Sequence, residues 1–154
     1  MKIAVGTLHI RSARLRDAAL LAALSTQLGY PASQDEIERR LRPILRNRNH
    51  AILVAELNGK GVVGWAHALM EKALLSEPRA EVLGLIVDAT ERGKGIGTAL
   101  MSQIEQWARA HGLSAVSLRS NVIRDQAHRF YEGLGYERVK TQHAFVKVLP
   151  KRES

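Results

Sequence analysis

The chain has no cysteine among its 154 residues, and aromatic residues make up only 5% of it. The lack of cysteine excludes disulfide bonds, thiolate metal sites and a cysteine nucleophile, so any chemistry must use oxygen and nitrogen groups. The six histidines show no metal-ligand spacing, and we expect no metal. No apolar run approaches the roughly 18 residues of a membrane span, and the charged N-terminus is not a signal peptide. We therefore expect a cytoplasmic protein with no membrane partner.

The net charge of +8 raises the alternative of a small basic nucleic-acid-binding module without catalysis. Against it, few aromatic residues are available to stack on bases, and no helix-turn-helix, RNP or GXXG signature is present. One dense group of cations occurs, on a predicted helix: Arg39, Arg40, Arg42, Arg46 and Arg48. A solvated helix face explains this group, and a positive field attracts any polyanion. Nucleic acid is therefore not the expected partner.

Apolar spacing predicts a mixed α/β fold with α+β character, in one domain over residues 1–154. The predicted strands are 8–11, 51–57, 62–70, 81–88, 115–119 and 143–149, and the predicted helices are 20–28, 33–45, 96–107 and 125–132. A capping box from Ser33 to Glu36 opens the second helix, and Pro43 should kink or divide it. Asn58-Gly59 predicts a hairpin turn. The elements form a mixed sheet with helices on both faces, with a strand-helix-strand unit at its centre.

The segment from Glu91 to Leu100 reads E-R-G-K-G-I-G-T-A-L. It follows an apolar stretch of strand length, from Glu81 to Asp88, and precedes apolar residues that recur at helical spacing. Its three alternating glycines leave backbone N–H groups unobstructed at a helix N-terminus. This geometry favours the binding of a pyrophosphate.

Arg92 and Lys94 flank these glycines, and two cations gain little there unless an anion lies nearby. The alternative is a glycine turn that only connects the strand to the helix. A Walker loop does not fit because Lys94 precedes Gly95, and a dinucleotide fingerprint does not fit because Gly97 comes one residue early. The segment does satisfy the pattern R/Q-x-x-G-x-G/A, through Arg92, Gly95 and Gly97.

A second motif, A-H-R-F-Y-E-G-L-G-Y at residues 127–136, is similar to the segment A-x-x-F-Y-E-x-x-G-F/Y. With both motifs in this order, the chain from about Leu8 to Leu149 resembles the GNAT superfamily of acetyl-CoA-dependent N-acetyltransferases. The resemblance implies a splayed mixed central sheet, with backbone groups of Ile86 and Val87 bonded to the pantetheine arm of acetyl-CoA. It also implies that the pyrophosphate is held by the amides of Arg92, Gly93, Lys94, Gly95, Ile96, Gly97 and Thr98.

Acetyl transfer needs a base, because an ammonium with a pKa of about 10.4 is unreactive at neutral pH. Glu81 lies eleven residues before Arg92, the spacing at which histone-type members carry their catalytic glutamate, so the resemblance implies that Glu81 is the base. Its position in an apolar strand predicts a raised pKa. The alternative places Glu81 at a solvated strand start, paired with Arg79 or another cation. Many members carry the carboxylate where this chain has Leu83 and Gly84, which leaves a water chain as another option.

The resemblance further implies that Tyr131 protonates the leaving thiolate, while Phe130 accounts for the packing. Asn121 is implied as a cofactor contact, and the alternative is a turn residue at the helix entry. His67 lies on a strand expected to face the acceptor groove, where it either acts as a base or is merely half buried.

The acceptor is expected to be a primary amine of a small molecule or a peptide. The resemblance implies that it is selected by the first two helices, the turn over residues 28–31 and the loop over residues 71–78. Acidic residues in these segments suit a cationic acceptor. The resemblance also favours a homodimer, formed through the apolar edge of the terminal strand at 143–149.

Overall fold

A computed structural model describes residues 7–120 and 122–152. The chain divides into two compact units, Met1–Arg119 and Ser120–Ser154. The first unit contains β1 (Leu8–Ser12), α1 (Ala18–Leu28), α2 (Gln34–Leu45), β2 (His50–Leu57), β3 (Gly61–Ala73), β4 (Ser76–Val87), α3 (Ile96–Ala110) and β5 (Val116–Leu118). The second unit contains α4 (Asp125–Gly133).

The five strands form one mixed sheet in the order β1-β2-β3-β4-β5. Neighbouring strands from β1 to β4 are antiparallel, and β5 is parallel to β4 after the crossover through α3. The short β5 pairs only with Ala80–Val82 of β4. In the described sheet the strand-helix-strand unit therefore lies at one edge. The prediction that it lies at the centre was wrong, because β1, β2 and β3 all lie on one side of β4 and only the short β5 lies on the other.

Helices cover both faces of the sheet, as predicted. Trp65 pairs with Val54 and with Ile86, so these three residues share one face. The residues of α1 and α2 that pack on this face are Leu21, Leu24, Leu28, Ile37 and Leu41. On the other face, a Cβ added to Gly64 would meet the side chain of Leu100 on α3 at 3.4 Å. The sheet thus lies between the first two helices and α3.

Local signals at the helix and turn boundaries are confirmed. The Ser33 hydroxyl accepts a hydrogen bond from the Glu36 N–H at 3.1 Å, and the Glu36 carboxylate accepts one from the Ser33 N–H at 3.2 Å. Gly59, in the turn between β2 and β3, has a φ of 81°. Pro43 lies inside α2, which is not divided and ends at Leu45.

Two expectations for loops and termini were wrong. The region expected as a loop over residues 71–78 belongs mostly to a long hairpin, in which β3 runs to Ala73 and β4 begins at Ser76. Residues 143–149 form no strand, and Phe145 and Val146 are almost fully exposed. An alternating apolar pattern produces a strand only where a partner edge pairs with it. A homodimer stays a prediction, but residues 143–149 do not form the strand that was expected to provide its interface.

Candidate active site

A glycine turn over residues 92–95 precedes α3, and residues 88–91 connect this turn to β4. Gly93 and Gly95 have φ angles of 79° and 85°, and Gly95 is the N-cap residue of α3, with no side chain to cap the helix. The N–H of Ala99 bonds to the Gly95 carbonyl at 3.0 Å, so the preceding amides of α3 have no acceptor within the helix. A Cβ at Gly93 or Gly95 would meet nothing within 4 Å. These amides therefore border open space at a helix N-terminus, a setting that fits phosphate groups.

A buried carboxylate lies beside this turn. Glu91 is 4% exposed, and its two oxygens contact the ammonium groups of Lys60 and Lys94, each at 2.6 Å. The hydrogen bond from Lys60 and then that from Lys94 lower the pKa of Glu91. Sequence reasoning missed Lys60 and Glu91, because 31 residues separate the two and only the folded hairpin brings them together. Arg92 donates through Nε to the Val87 carbonyl at 3.1 Å.

One edge of β4 is open beyond Val82. The Asp88 N–H bonds to the Val63 carbonyl at 2.8 Å, and bonding alternates along an antiparallel ladder. The backbone groups of Ile86 accordingly pair with Trp65 on β3, whereas those of Leu85 and Val87 are directed to the opposite edge. Because β5 ends at Leu118, no strand of the described first unit pairs with this part of that edge. Unpaired backbone groups of this kind suit an extended ligand that bonds in the manner of a further strand.

Glu81 lies in the middle of β4, with 12% of its side chain exposed. Burial and a strand position away from either end contradict a solvated strand start, but the pairing with another cation that the alternative included is present, with Arg119. A hydrogen bond with Glu71 and then burial raise the pKa of Glu81, while Arg119, at 3.6 Å from its Oε1, acts in the opposite direction. Arg79, which was considered as the partner of Glu81, lies 3.7 Å from Glu71.

Sequence reasoning missed Glu71 as the neighbour of Glu81. In the register of β3 and β4, Leu69 pairs with Glu81 and Glu71 pairs with Arg79, so the two acids are diagonal neighbours on one face. A β-bulge between His67 and Ala68 sets this register. The contact was not predicted because a loop was expected over residues 71–78, whereas the contact depends on strand pairing through this region.

His67 lies on the same face of the sheet as Glu81. Its Nε2 lies 2.9 Å from Nδ1 of His50, and burial together with His50 lowers the pKa of His67 to about 4. His67 and Leu69 are two residues apart on β3, and Leu69 pairs with Glu81, so the histidine pair and the carboxylate pair are neighbours. Trp65 also lies on this face, on which α1 and α2 pack. A neutral imidazole and a protonatable carboxyl thus occur together.

The space beside Gly84 is filled by Trp65. A Cβ added to Gly84 would lie 2.6 Å from the Cη2 atom of the Trp65 ring. Leu83, the extra residue at the bulge, is half exposed. Neither position supplies a carboxylate, so the candidate base on this strand stays Glu81.

Tyr131 belongs to the second unit and lies on α4. Burial raises the pKa of its phenol, and the charge of Arg124 lowers it. The rings of Phe130 and Tyr136 lie 5.2 Å and 6.1 Å from the Tyr131 ring, both edge to face. A neutral phenol at physiological pH is a suitable proton donor. Asn121 lies outside the described residues.

Over residues 7–120 and 122–152, no helix is long and apolar enough to cross a membrane. Within the same part of the chain, no group of three or more histidine, aspartate or glutamate side chains is placed to hold a metal ion.

An unpaired strand edge, a glycine turn and an uncapped helix N-terminus occur in succession along the chain, and these features suit an extended ligand that carries phosphate groups. The profile of the acetyltransferase (GNAT) family matches residues 18–136. The chain belongs to this family, and both the predicted superfamily and the predicted fold are confirmed.

Three similar proteins illustrate the relationship. Rat N-acetylaspartate synthetase is 36% identical over 93 residues, which are 60% of this chain and 30% of that protein. Human N-acetyltransferase 8 is 35% identical over 105 residues, or 68% of this chain and 45% of that protein. The structure of an aminoglycoside N-acetyltransferase in complex with CoA superimposes with a TM-score of 0.81 at 19% identity, covering 91% of this chain and 94% of that chain. The chain thus spans less than half the length of the two curated relatives.

Proposed function

We propose that the chain transfers the acetyl group of acetyl-CoA to a primary amine of a small molecule or peptide, by direct attack in a ternary complex. The observation that carries this proposal is the open edge of β4, which leads into the glycine turn and the uncapped start of α3. The related aminoglycoside N-acetyltransferase was solved with CoA, which supports the same cosubstrate here.

In this proposal the backbone at the end of β4 holds the pantetheine arm. Val87 has backbone groups on the open edge, and its carbonyl already accepts a hydrogen bond from Arg92. The neighbouring Leu85 shares this orientation, whereas Ile86 bonds to β3. We therefore assign the pantetheine contacts to Val87 and Leu85. The pyrophosphate is assigned to the amides of the glycine turn and the first turn of α3.

Glu81 is proposed as the base that takes the amine proton. Its raised pKa brings the carboxylate closer in proton affinity to the amine than an exposed glutamate would be. His67, which is neutral above a pH of about 4, is proposed to orient the amine or a water between the amine and Glu81. The face that carries both residues also carries α1 and α2, the helices proposed to select the acceptor.

Tyr131 is proposed as the acid. The acetyl group arrives as a thioester; a bond forms between the amine nitrogen and the acetyl carbon, and the bond from that carbon to sulfur breaks. The amine proton passes to Glu81, and the Tyr131 hydroxyl gives its proton to sulfur. Tyr131→Phe should slow turnover, and the effect should shrink with acyl donors whose thiol leaves without protonation. An equal effect with every donor would remove this role from Tyr131.

The test of the proposed function is a screen of amines against acetyl-CoA, read out as released thiol. Because the chain has no cysteine, its own side chains contribute no background in this assay. We expect acetyl-CoA to raise the melting temperature and one class of amine to release thiol. Retention on DNA at moderate salt, together with no stabilisation by acetyl-CoA, would instead favour the nucleic-acid-binding module.

A further inference from the structure

The buried Glu91 joins two separate parts of the first unit. Lys60 lies in the turn between β2 and β3, whereas Lys94 lies within the glycine turn, and each contacts one oxygen of Glu91 at 2.6 Å. We call these three residues the lysine-glutamate triad. Its carboxylate side chain is 6% exposed, while the side chains of Lys60 and Lys94 are 56% and 36% exposed. The carboxylate is therefore hidden and the two cations are open to solvent.

A carboxylate beside a phosphate site requires an explanation, because two anions repel each other. Burying a carboxylate is costly unless it is paired, and here both oxygens are paired. The triad carries two positive charges and one negative charge, so the site keeps a net positive charge. Each ammonium has three N–H donors, and the contact with Glu91 uses one of them. The remaining donors of Lys60 and Lys94 are available to a ligand at the glycine turn.

We propose that Glu91 positions Lys60 and Lys94 beside the glycine turn, and that Lys60 is a further contact for the phosphate groups of coenzyme A. This inference rests on the proposed function. It assigns a binding role to a residue outside both sequence motifs, on a hairpin that local patterns do not connect with the cofactor. Glu91 acts through the two lysines and is a positioning residue.

The first test compares Lys60→Gln with Lys72→Gln by calorimetry. Both changes remove one exposed cation, but Lys72 lies at the other end of β3, about 40 Å along the chain from Lys60. We expect Lys60→Gln to weaken CoA binding about tenfold, the worth of one hydrogen bond to a charged group. We expect Lys72→Gln to leave the affinity within about twofold, since distant exposed charges are screened.

Three ligands locate the contact. If Lys60 binds the 3'-phosphate, Lys60→Gln weakens CoA but not dephospho-CoA; if it binds the pyrophosphate, both are weakened equally. In either case the affinity for pantetheine, which has no phosphate and is measured by competition, should not change. An equal loss for pantetheine would show a general distortion and overturn the assignment.

Glu91→Gln tests the positioning role through the sign of its effect. If Glu91 were only a repelling charge, its removal would tighten CoA binding. If it orders the two lysines, Glu91→Gln should weaken CoA binding several-fold and leave competition by pantetheine unchanged. A melting curve checks that the variant folds, and Lys60→Gln, at an exposed position, tests the contact independently.

The outcomes separate this inference from the proposed function. Wild-type protein that binds no CoA would remove both. If the wild-type protein binds CoA but Lys60→Gln and Lys72→Gln bind it with equal affinity, the phosphate contact of Lys60 is overturned and the proposed function is not. Tighter binding by Glu91→Gln would overturn the positioning role of Glu91.

Discussion

Glu81 and Glu91 are ten residues apart on one segment, both largely buried, and their pKa values shift in opposite directions. Glu91 lies between two lysines, which hold its pKa below the ordinary value. Glu81 lies beside a second carboxyl, Glu71, which together with burial raises its pKa. The comparison shows that neighbours, more than burial, decide what a carboxylate does. Glu91 keeps its charge and can only position other groups, whereas Glu81 can exchange a proton.

The largest expected effect is the loss of turnover when Glu81 can no longer accept a proton. Glu81→Gln should lower turnover about 10²–10⁴-fold at neutral pH and leave acetyl-CoA affinity nearly intact, because the amine loses its proton acceptor. Raising the pH should partly restore turnover, since deprotonated amine then exists without help. Glu137→Gln, at an exposed position outside both motifs and outside the segments expected to select the acceptor, is the control in steady-state kinetics. Near-normal turnover in Glu81→Gln would move the base to His67 or to a water relay.

The second-largest expected effect concerns the glycine turn, which lies beside Glu91. Gly95→Val should weaken acetyl-CoA binding about 10²-fold or more, because a branched side chain would fill the space beside several amides that each bond an anion. Gly112→Val is the matched control, since Gly112 also has a positive φ, 71°, and open space around it, but lies beyond the other end of α3. Both changes should cost stability, by about 1–3 kcal/mol. Calorimetry that shows equal affinities for the two variants would refute the phosphate role of the turn.

A smaller effect tests the carboxyl pair directly. Glu71→Gln removes the group that contributes most to the raised pKa of Glu81, so the pKa of Glu81 should fall. Because activity needs deprotonated Glu81, the acid limb of the kcat/KM profile should move to lower pH. A limb that stays in place or moves to higher pH would show that Glu71 does not tune the base.

The smallest effect concerns stability at the histidine pair. The pKa of His67 is about 4 in the folded chain, below the 6.5 of an ordinary histidine. Between these values the unfolded chain binds the extra proton, so this contribution is fully present above pH 6.5 and is lost as the pH falls through 4. Urea unfolding of His67→Gln should show a weaker loss of stability over this window than the wild type. If the free energy of unfolding falls equally steeply with decreasing pH in both proteins, His67 is not the source of the lost stability.

Local sequence signals predicted much of the fold. The Ser33 capping box, the turn at Gly59 and the glycine turn before α3 each depend on residues close together in sequence, and the structure shows all three elements. The segment 143–149 shows the limit of the same reasoning. Its alternation fits a strand, but a strand also needs a partner edge, which no local pattern supplies.

The candidate site could be predicted only where its residues are neighbours in sequence. The glycine turn and Glu81 were recognised from motifs and spacing. Lys60, Glu71 and His50 were missed because their contacts depend on the register of long hairpins. A single bulge between His67 and Ala68 determines which side chain lies beside Glu81. The position of such a bulge cannot be predicted from hydrophobic periodicity.

The close approach of Trp65 to Gly84 restricts how this active site can evolve. Because a Cβ at Gly84 would overlap the indole ring, a carboxylate gained at that position would force the Trp65 side chain to move. A chain that moved its base from Glu81 to position 84 would first have to exchange Trp65 for a smaller residue, and that step alone would leave a cavity beneath α1 and α2. The two positions are therefore expected to change together, so that relatives with an acid at position 84 should carry a small side chain opposite it.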